Sequence, residues 1–500
     1  MATFAREGPN QKTIRKATWR TRTDMEQRTN NGGLKQLQFD WSAKASAGPG
    51  KGGEAAGQAA LRGVEQVSAA EERKRALKQD LMERVADEAN LVEALSRVCA
   101  NKGSAGIDQK TVLELKAWMS ERAHREKLKE ELLGGNYQPA LVRGVQIPKP
   151  GGKGVRQLGI PTVMDRLVQQ ALLQVLEPMF DPNFSESSYG FRPRRGAHDA
   201  LRQASKYVAE GRRYVVDLDL EKFFDRVQHD VLMARVSRKV RDKRVLGLIG
   251  RFLRAGMMQN GICVQRAEGT PQGGPLSPLL ANILLDDLDK ELEKRGHTFC
   301  RYADDCNIYV RSLAAGKRVL ASVTEFLEKK LKLKVNREKS AVGKVQERKF
   351  LGHRLLESGE LGVAPQSRQR LEASLKELTR RSAGKDLESV IGQVNRKVIG
   401  WIQYFRMAKM KSMLEELAQW LRRRLRCLRL KQCRKTFALA RFLMGLGVRE
   451  NSAWMLASSG KGWWRLADTP QAHQGMSLSW FKEMGLMEPT AFYLELRNAC

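Results

Sequence analysis

Two short apolar segments run straight into carboxylates, and few folds can accommodate that. They are Tyr214-Val-Val-Asp-Leu-Asp-Leu-Glu-Lys-Phe-Phe-Asp225 and Arg301-Tyr-Ala-Asp-Asp-Cys-Asn-Ile-Tyr-Val310. Residues 214–220, 299–302 and 307–310 read as short buried strands, which predicts Asp304 and Asp305 at the tip of a hairpin. An isolated Asp-Asp pair at a turn is ordinarily a solvated turn. A second acidic segment that continues a buried strand changes the reading, because a buried carboxylate is costly unless something positive neutralises it.

The surroundings sharpen this. The chain carries 89 Lys+Arg against 56 Asp+Glu, a net charge of +33, with a pI near 10.1. Such an excess repels itself unless it meets a polyanion, so nucleic acid is the expected partner and a merely soluble basic protein the bland alternative. In a basic chain a focus of carboxylates is most simply a divalent-metal site. Mg²⁺ takes oxygen ligands and keeps part of its coordination for phosphates. Two such ions ~3.5–4 Å apart can activate a primer hydroxyl and hold the leaving pyrophosphate. No apolar run approaches the ~20 residues needed to span a bilayer, so no membrane partner is expected. Residues 1–40 lack the apolar core of a signal peptide, and Asp24, Glu26 and Asp40 count against a transit peptide. The seven cysteines show no CxxC or zinc-like spacing and read as reduced, packing thiols of a cytosolic protein.

With 500 residues, 42% of them hydrophobic, the chain has room for two or three domains. Residues 1–70 read as a basic flexible extension containing a loose Gly/Ala/Ser stretch. From 71 to 133 the period is helical, broken at Asn101-Lys-Gly-Ser-Ala-Gly106. Residues 139–365 mix α and β, with a hairpin expected from 142–147 and 157–160 around Pro150-Gly-Gly-Lys-Gly154. Helices and positive charge dominate as far as 441. A compact tail with Trp454, Trp463, Trp464 and Trp480 follows.

Here a resemblance becomes specific. Tyr302-Ala-Asp-Asp305 resembles the signature of reverse transcriptases, and Asp219-Leu-Glu-Lys-Phe-Phe-Asp225 the preceding palm motif of the group II intron class. The match continues in order from about residue 90. It takes in Asn101-Lys-Gly with Ala105-Gly-Ile-Asp108, Ile147-Pro-Lys-Pro with Arg156-Gln-Leu-Gly-Ile-Pro161, and Ser188-Tyr-Gly-Phe-Arg192. It then includes Gly269-Thr-Pro-Gln-Gly-Gly-Pro-Leu-Ser-Pro278, Leu333-Lys-Val-Asn336 with Lys339, and Phe350-Leu-Gly352. The chain is thus similar to bacterial group II intron-encoded reverse transcriptase/maturase proteins. The implied fold is α+β: right-hand fingers and palm over 71–365, a helical thumb/maturase domain over 366–445, and a small C-terminal DNA-binding region over 446–500.

The resemblance implies roles. Asp219, Asp304 and Asp305, with the Leu220 carbonyl, would hold two Mg²⁺ ions, while Asp217 and Asp225 are better explained by structural hydrogen bonds. Phe224 would lie under the incoming sugar and exclude a 2′-hydroxyl; a core ring is the alternative. Lys149 and Arg156 match residues that contact the deoxynucleoside triphosphate. Gln272 would sit near sugar and template, with Gly273 and Gly274 permitting close backbone approach. Lys339 would donate a proton to pyrophosphate, and Leu351 and Gly352 would grip the primer end.

In the basic half, Gly400-Trp-Ile-Gln-Tyr-Phe405 resembles part of the maturase domain. Residues 421–431 place Leu421, Leu425 and Leu428 along one helix side. Arg422, Arg423, Arg424 and Arg426 are then expected to contact phosphate, with a solvated charged face as the alternative. The tail tryptophans are core, stacking platforms or both. Many members of this family append a His/Cys nuclease; His473 is the sole histidine of the last hundred residues, so none is expected here. The implied partners are a group II intron RNA, a DNA target and primer, and dNTPs, with a homodimer left open. The implied setting is a cytoplasmic, nucleoid-associated ribonucleoprotein that assists splicing and copies the intron during retrohoming. The competing readings are a domesticated reverse transcriptase in defence or repair, and a splicing factor with a relic polymerase.

Overall fold

The computed structural model describes residues 80–148, 154–259, 262–264, 268–270, 273–381 and 384–498. All of them lie in one compact unit, 46–500. The extension expected over 1–70, Lys149 and Gln272 lie outside the described residues.

Strand β1 (Val142–Pro148) pairs antiparallel with β2 (Val155–Ile160), Ile147 facing Arg156, as the hairpin pattern predicts. The central sheet places β3 (Tyr214–Leu218) between β7 (Asp305–Val310) and β8 (Ala341–Lys344), all antiparallel, with β6 (Thr298–Tyr302) beyond β7. The strand β4 (Met257–Gln259) joins β1 in parallel, and β5 (Ile262–Val264) closes that outer sheet. A third sheet comprises β9 (Lys349–Phe350), β10 (His353–Leu355) and β11 (Leu361–Val363).

Side chains alternate across a strand, and the central sheet uses both faces. Val216, Leu218, Cys306 and Ile308 join a large core with α1 (Val163–Phe180) and much of the N-terminal half. Val215, Cys300 and Tyr309 join a smaller core with α2 (Ala197–Ala209). Cys300 and Cys306 are buried free thiols, consistent with packing. The helix α3 (Ser277–Lys294) is apolar on most sides and accordingly central. Pro278 stands in its first turn, where a missing amide costs nothing.

Beyond β11 the chain is helical: α4 (Pro365–Leu378), α5 (Leu387–Phe405), α6 (Lys411–Gln432) and short helices to 498. Leu371, Ile402, Leu414, Leu425, Phe481 and Tyr493 belong to one core, which therefore continues past residue 446. Among the described residues no helix is long and apolar enough to cross a membrane.

Candidate active site

Three stretches far apart in sequence meet at one end of the central sheet. The β6–β7 hairpin turns through Ala303, at φ 59°, and Asp304, with Tyr302 opposite Asp305. Leu218 faces Cys306 across β3 and β7, so continuing that register by one residue sets Asp219 beside Asp305. The third stretch follows the helical turn at 327–331. The Asn336 amide donates to the Asp219 carbonyl at 2.9 Å, and the Asn336 side-chain amide to Asp219 Oδ2 at 3.0 Å. Ser340 Oγ accepts from the Asp219 amide at 2.9 Å. Neither Asn336 nor Ser340 received a role from the sequence, although Asn336 stands in a quoted motif.

The carboxylates crowd one another. Burial raises Asp304 above the ordinary carboxylate range and Asp219 adds to this, while its own amide, Arg156 and Arg301 oppose. Asp305 is open to solvent on one side and crowded by the palm on the other. It is pushed up to about 7 by burial and then by Asp217, Asp304 and Asp219, with Lys349 opposing. Burial also raises Asp217, whose partner is Arg348 at 3.9 Å. Arg348 and Lys349 are thus cations at this site that the sequence did not single out. Lys339 is placed with its ammonium 3.4 Å from Asp219 Oδ2.

Such an arrangement suits a hard divalent cation, which relieves repulsion between carboxylates. The antiparallel bridge of Leu220 with Val335 is made by its neighbours, Glu221 donating to the Lys334 carbonyl and Asn336 donating to that of Asp219. Among the described residues nothing donates to the Leu220 carbonyl, which leaves it available as a ligand. Also among the described residues, no three acidic, histidine or cysteine side chains already enclose a metal position.

Around this focus, Arg156 is exposed on β2 and is felt electrostatically by Asp304. Phe224 is half-buried, with its ring edge-on to that of buried Phe223 at 5.1 Å. Its carbonyl accepts from the Thr270 amide at 2.6 Å, which docks the start of the Gly-rich motif on the Phe224–Asp225 backbone. A Cβ on Gly273 would lie 2.5 Å from the Gly159 carbonyl, and one on Gly274 2.2 Å from Gln169 Oε1. Gly273, which also has positive φ, therefore serves close backbone approach, whereas at Gly274 the neighbour is the end of a side chain.

Leu351 and Gly352 form the two-residue turn joining β9 to β10, with Phe350 opposite His353. Both have positive φ, 49° and 78°, the requirement of a type I′ hairpin. A leucine there stores strain of roughly 1–3 kcal/mol, a frequent mark of functional backbone. The C-terminal helices hold the turn: Tyr404 Oη donates to the Leu351 carbonyl at 3.0 Å, and Ser367 Oγ to that of Gly352 at 2.9 Å.

The arginine helix corrects an expectation. Arg426 is 5% exposed, and its Nε donates to the Met476 carbonyl at 3.0 Å. Arg424 donates to Thr379 Oγ1 and the Lys376 carbonyl at 2.6 and 2.9 Å. Arg423 stacks 4.3 Å over Trp464 and pairs with Asp468, and Arg422 pairs with Glu488 at 3.3 Å. These contacts tie α6 to its neighbours, and Arg426 alone of the four is buried away from a phosphate-facing row. Arg426 in particular is inside, because position 426 faces the terminal helices. Of the tail tryptophans, Trp464 is exposed, whereas Trp463 and Trp480 pack against the core.

Comparison with known proteins gives the architecture a family. Residues 147–355 match the model for reverse transcriptase (RNA-dependent DNA polymerase), and 368–443 that for the group II intron maturase-specific domain. Protein YkfC of Escherichia coli is 34% identical over 330 residues, covering 56% of this chain and 85% of YkfC. The group II intron-encoded protein LtrA of Lactococcus lactis is 38% identical over 197 residues, covering 39% of this chain and 32% of LtrA. This chain thus matches about a third of LtrA. A chain of a solved Cas6-RT-Cas1–Cas2 complex overlaps 50% of this chain and 42% of its own at 24% identity, but at a TM-score of 0.32, too loose to carry an argument. The two family models and the relative covered over most of its length agree: the chain belongs to the group II intron reverse transcriptase/maturase family.

Proposed function

We propose that the chain extends a DNA primer on an RNA template, with Asp219, Asp304, Asp305 and the Leu220 carbonyl holding two Mg²⁺ ions. The observation that carries this reading is the crowding of Asp219, Asp304 and Asp305 at one sheet end beside a carbonyl without a donor among the described residues. The bound ions would supply charge neutralisation at the reacting phosphate and a more acidic primer hydroxyl. The chain's own residues do the positioning. Arg156 binds the triphosphate, and Phe224 leaves no room for a 2′-hydroxyl. Lys339, held by Asp219, hands a proton to the departing pyrophosphate. The strained Leu351–Gly352 turn orients the primer end. Geometry and electrostatics of this kind account for most of the catalysis of phosphoryl transfer.

The same protein binds its intron RNA through the matched 368–443 region, assists splicing, and copies the spliced intron into DNA at its target. Such a particle would work on the bacterial nucleoid. Primer extension on an RNA template with dNTPs and Mg²⁺ tests the first part. The wild-type chain should extend and the Asp304→Ala/Asp305→Ala chain should not. Extension by both would remove the carboxylates from the mechanism.

A further inference from the structure

The motif Ser188-Tyr-Gly-Phe-Arg192 has no chemistry of its own, yet it lies against the carboxylate hairpin. The Tyr189 amide donates to the Arg301 carbonyl and the Arg301 amide to that of Ser187, both at 2.9 Å, so this segment runs alongside β6. A Cβ on Gly190 would sit 2.3 Å from the Ala303 nitrogen, so only glycine fits beneath the turn.

At the centre is Arg301, fully buried one residue before Tyr302-Ala-Asp-Asp305. Its five N–H groups all have acceptors. Nε and Nη2 form a fork on Asp289, at 2.7 and 2.5 Å, and Nη2 also reaches Ser188 Oγ at 2.8 Å. Nη1 donates to Asn282 Oδ1 and to the Ala303 carbonyl, both at 2.9 Å. The Asn282 amide in turn donates to the Gly190 carbonyl at 2.9 Å, closing a ring of contacts around the turn. Burial disfavours the guanidinium charge, but Asp289 more than reverses this.

A buried ion pair adds little stability over apolar side chains of equal volume. What this one adds is geometric. We propose that Arg301 is a positioning residue: its guanidinium fixes the Ala303 carbonyl, and thereby the direction in which Asp304 and Asp305 leave the hairpin turn. Asp289, Asn282 and Ser188 hold that guanidinium in place. Lysine cannot substitute, because a single ammonium lacks the planar fork that serves these acceptors together. The inference rests on the polymerase reading for its kinetic consequences, but not for its effect on the carboxylates themselves.

The test compares the full-length wild type with Arg301→Lys and Asn282→Ala. It reads the thermal midpoint, primer–template affinity, kcat and KM for single dNTP addition, and binding of Mn²⁺ alone by loss of the free-ion EPR signal. In folded Arg301→Lys, kcat should fall about a hundredfold while KM and primer–template affinity stay within about threefold, the signature of interactions felt in the transition state. Mn²⁺ affinity should weaken with it. A folded Arg301→Lys chain with near-wild-type kcat and Mn²⁺ affinity would overturn the proposal, as would parallel loss of kcat and primer–template affinity. If Arg301→Lys does not fold, Asn282→Ala decides: kcat lower by about tenfold at constant KM supports the role, and wild-type kcat overturns it. A wild type that extends no primer would be a failure of the polymerase reading alone. The Mn²⁺ titration would then decide for Arg301.

Discussion

The palm and the C-terminal helices use charge in opposite ways. At the end of the central sheet, carboxylates repel one another and the Leu220 carbonyl lacks a donor among the described residues. Along α6 the arginines are engaged by carbonyls, carboxylates and aromatic rings of the same chain. Unresolved charge invites a partner from outside the chain, and resolved charge marks the place where the chain holds itself. Density of charge in a sequence cannot distinguish the two; partners can.

The comparison can be broken at several points. The largest effect should come from Asp304→Ala/Asp305→Ala, with DNA synthesis lost. Relief of that repulsion in Asp305→Asn should also raise the thermal midpoint in metal-free buffer at neutral pH. A lowered midpoint would show the carboxylates to be structural.

The seam between the two regions offers a second measurement. His353 is fully buried against Phe405, with its Nδ1 3.0 Å from the Leu351 carbonyl. A carbonyl can only accept, so Nδ1 carries the proton and Nε2, which has no partner among the described residues, is the bare nitrogen. Burial lowers its pKa to about 4 from an ordinary 6.5. The unfolded chain then binds the extra proton between those values. The stability this histidine contributes is complete above about pH 6.5 and is lost as pH falls toward 4, by up to about 3 kcal/mol. Melting curves across that window should show the fall, and His353→Phe should flatten it. An unchanged slope would mean that the imidazole accepts its proton inside the fold.

Arg426→Ala should cost about 2–3 kcal/mol in urea unfolding, since it leaves the buried Met476 carbonyl without its donor. Its effect on the salt dependence of RNA binding should be small. A steep change in salt slope with unaltered stability would return Arg426 to the RNA. The smallest change belongs to Arg422→Ala, whose partner Glu488 is exposed: about 0.5 kcal/mol or less.

Legibility in the sequence follows the span of each contact. The hairpin carboxylates and the β1–β2 hairpin were readable because their signals are local. Asn336 and Ser340 were not assigned, because they meet Asp219 117 and 121 residues away. The same limit holds for Arg426 in the arginine helix. Its leucine spacing correctly gave a buried stripe, but the Met476 carbonyl that draws Arg426 inward lies 50 residues downstream. The backbone of Leu351 gave no signal either, since leucine is a poor candidate for positive φ.

The Leu351–Gly352 turn has a mechanical consequence. Its two carbonyls are moored to Tyr404 on α5 and Ser367 on α4, while its ends are fixed in the small sheet. It is therefore a fulcrum. Any displacement of α5 would be passed through the Tyr404 hydroxyl to a turn already wound against its preference.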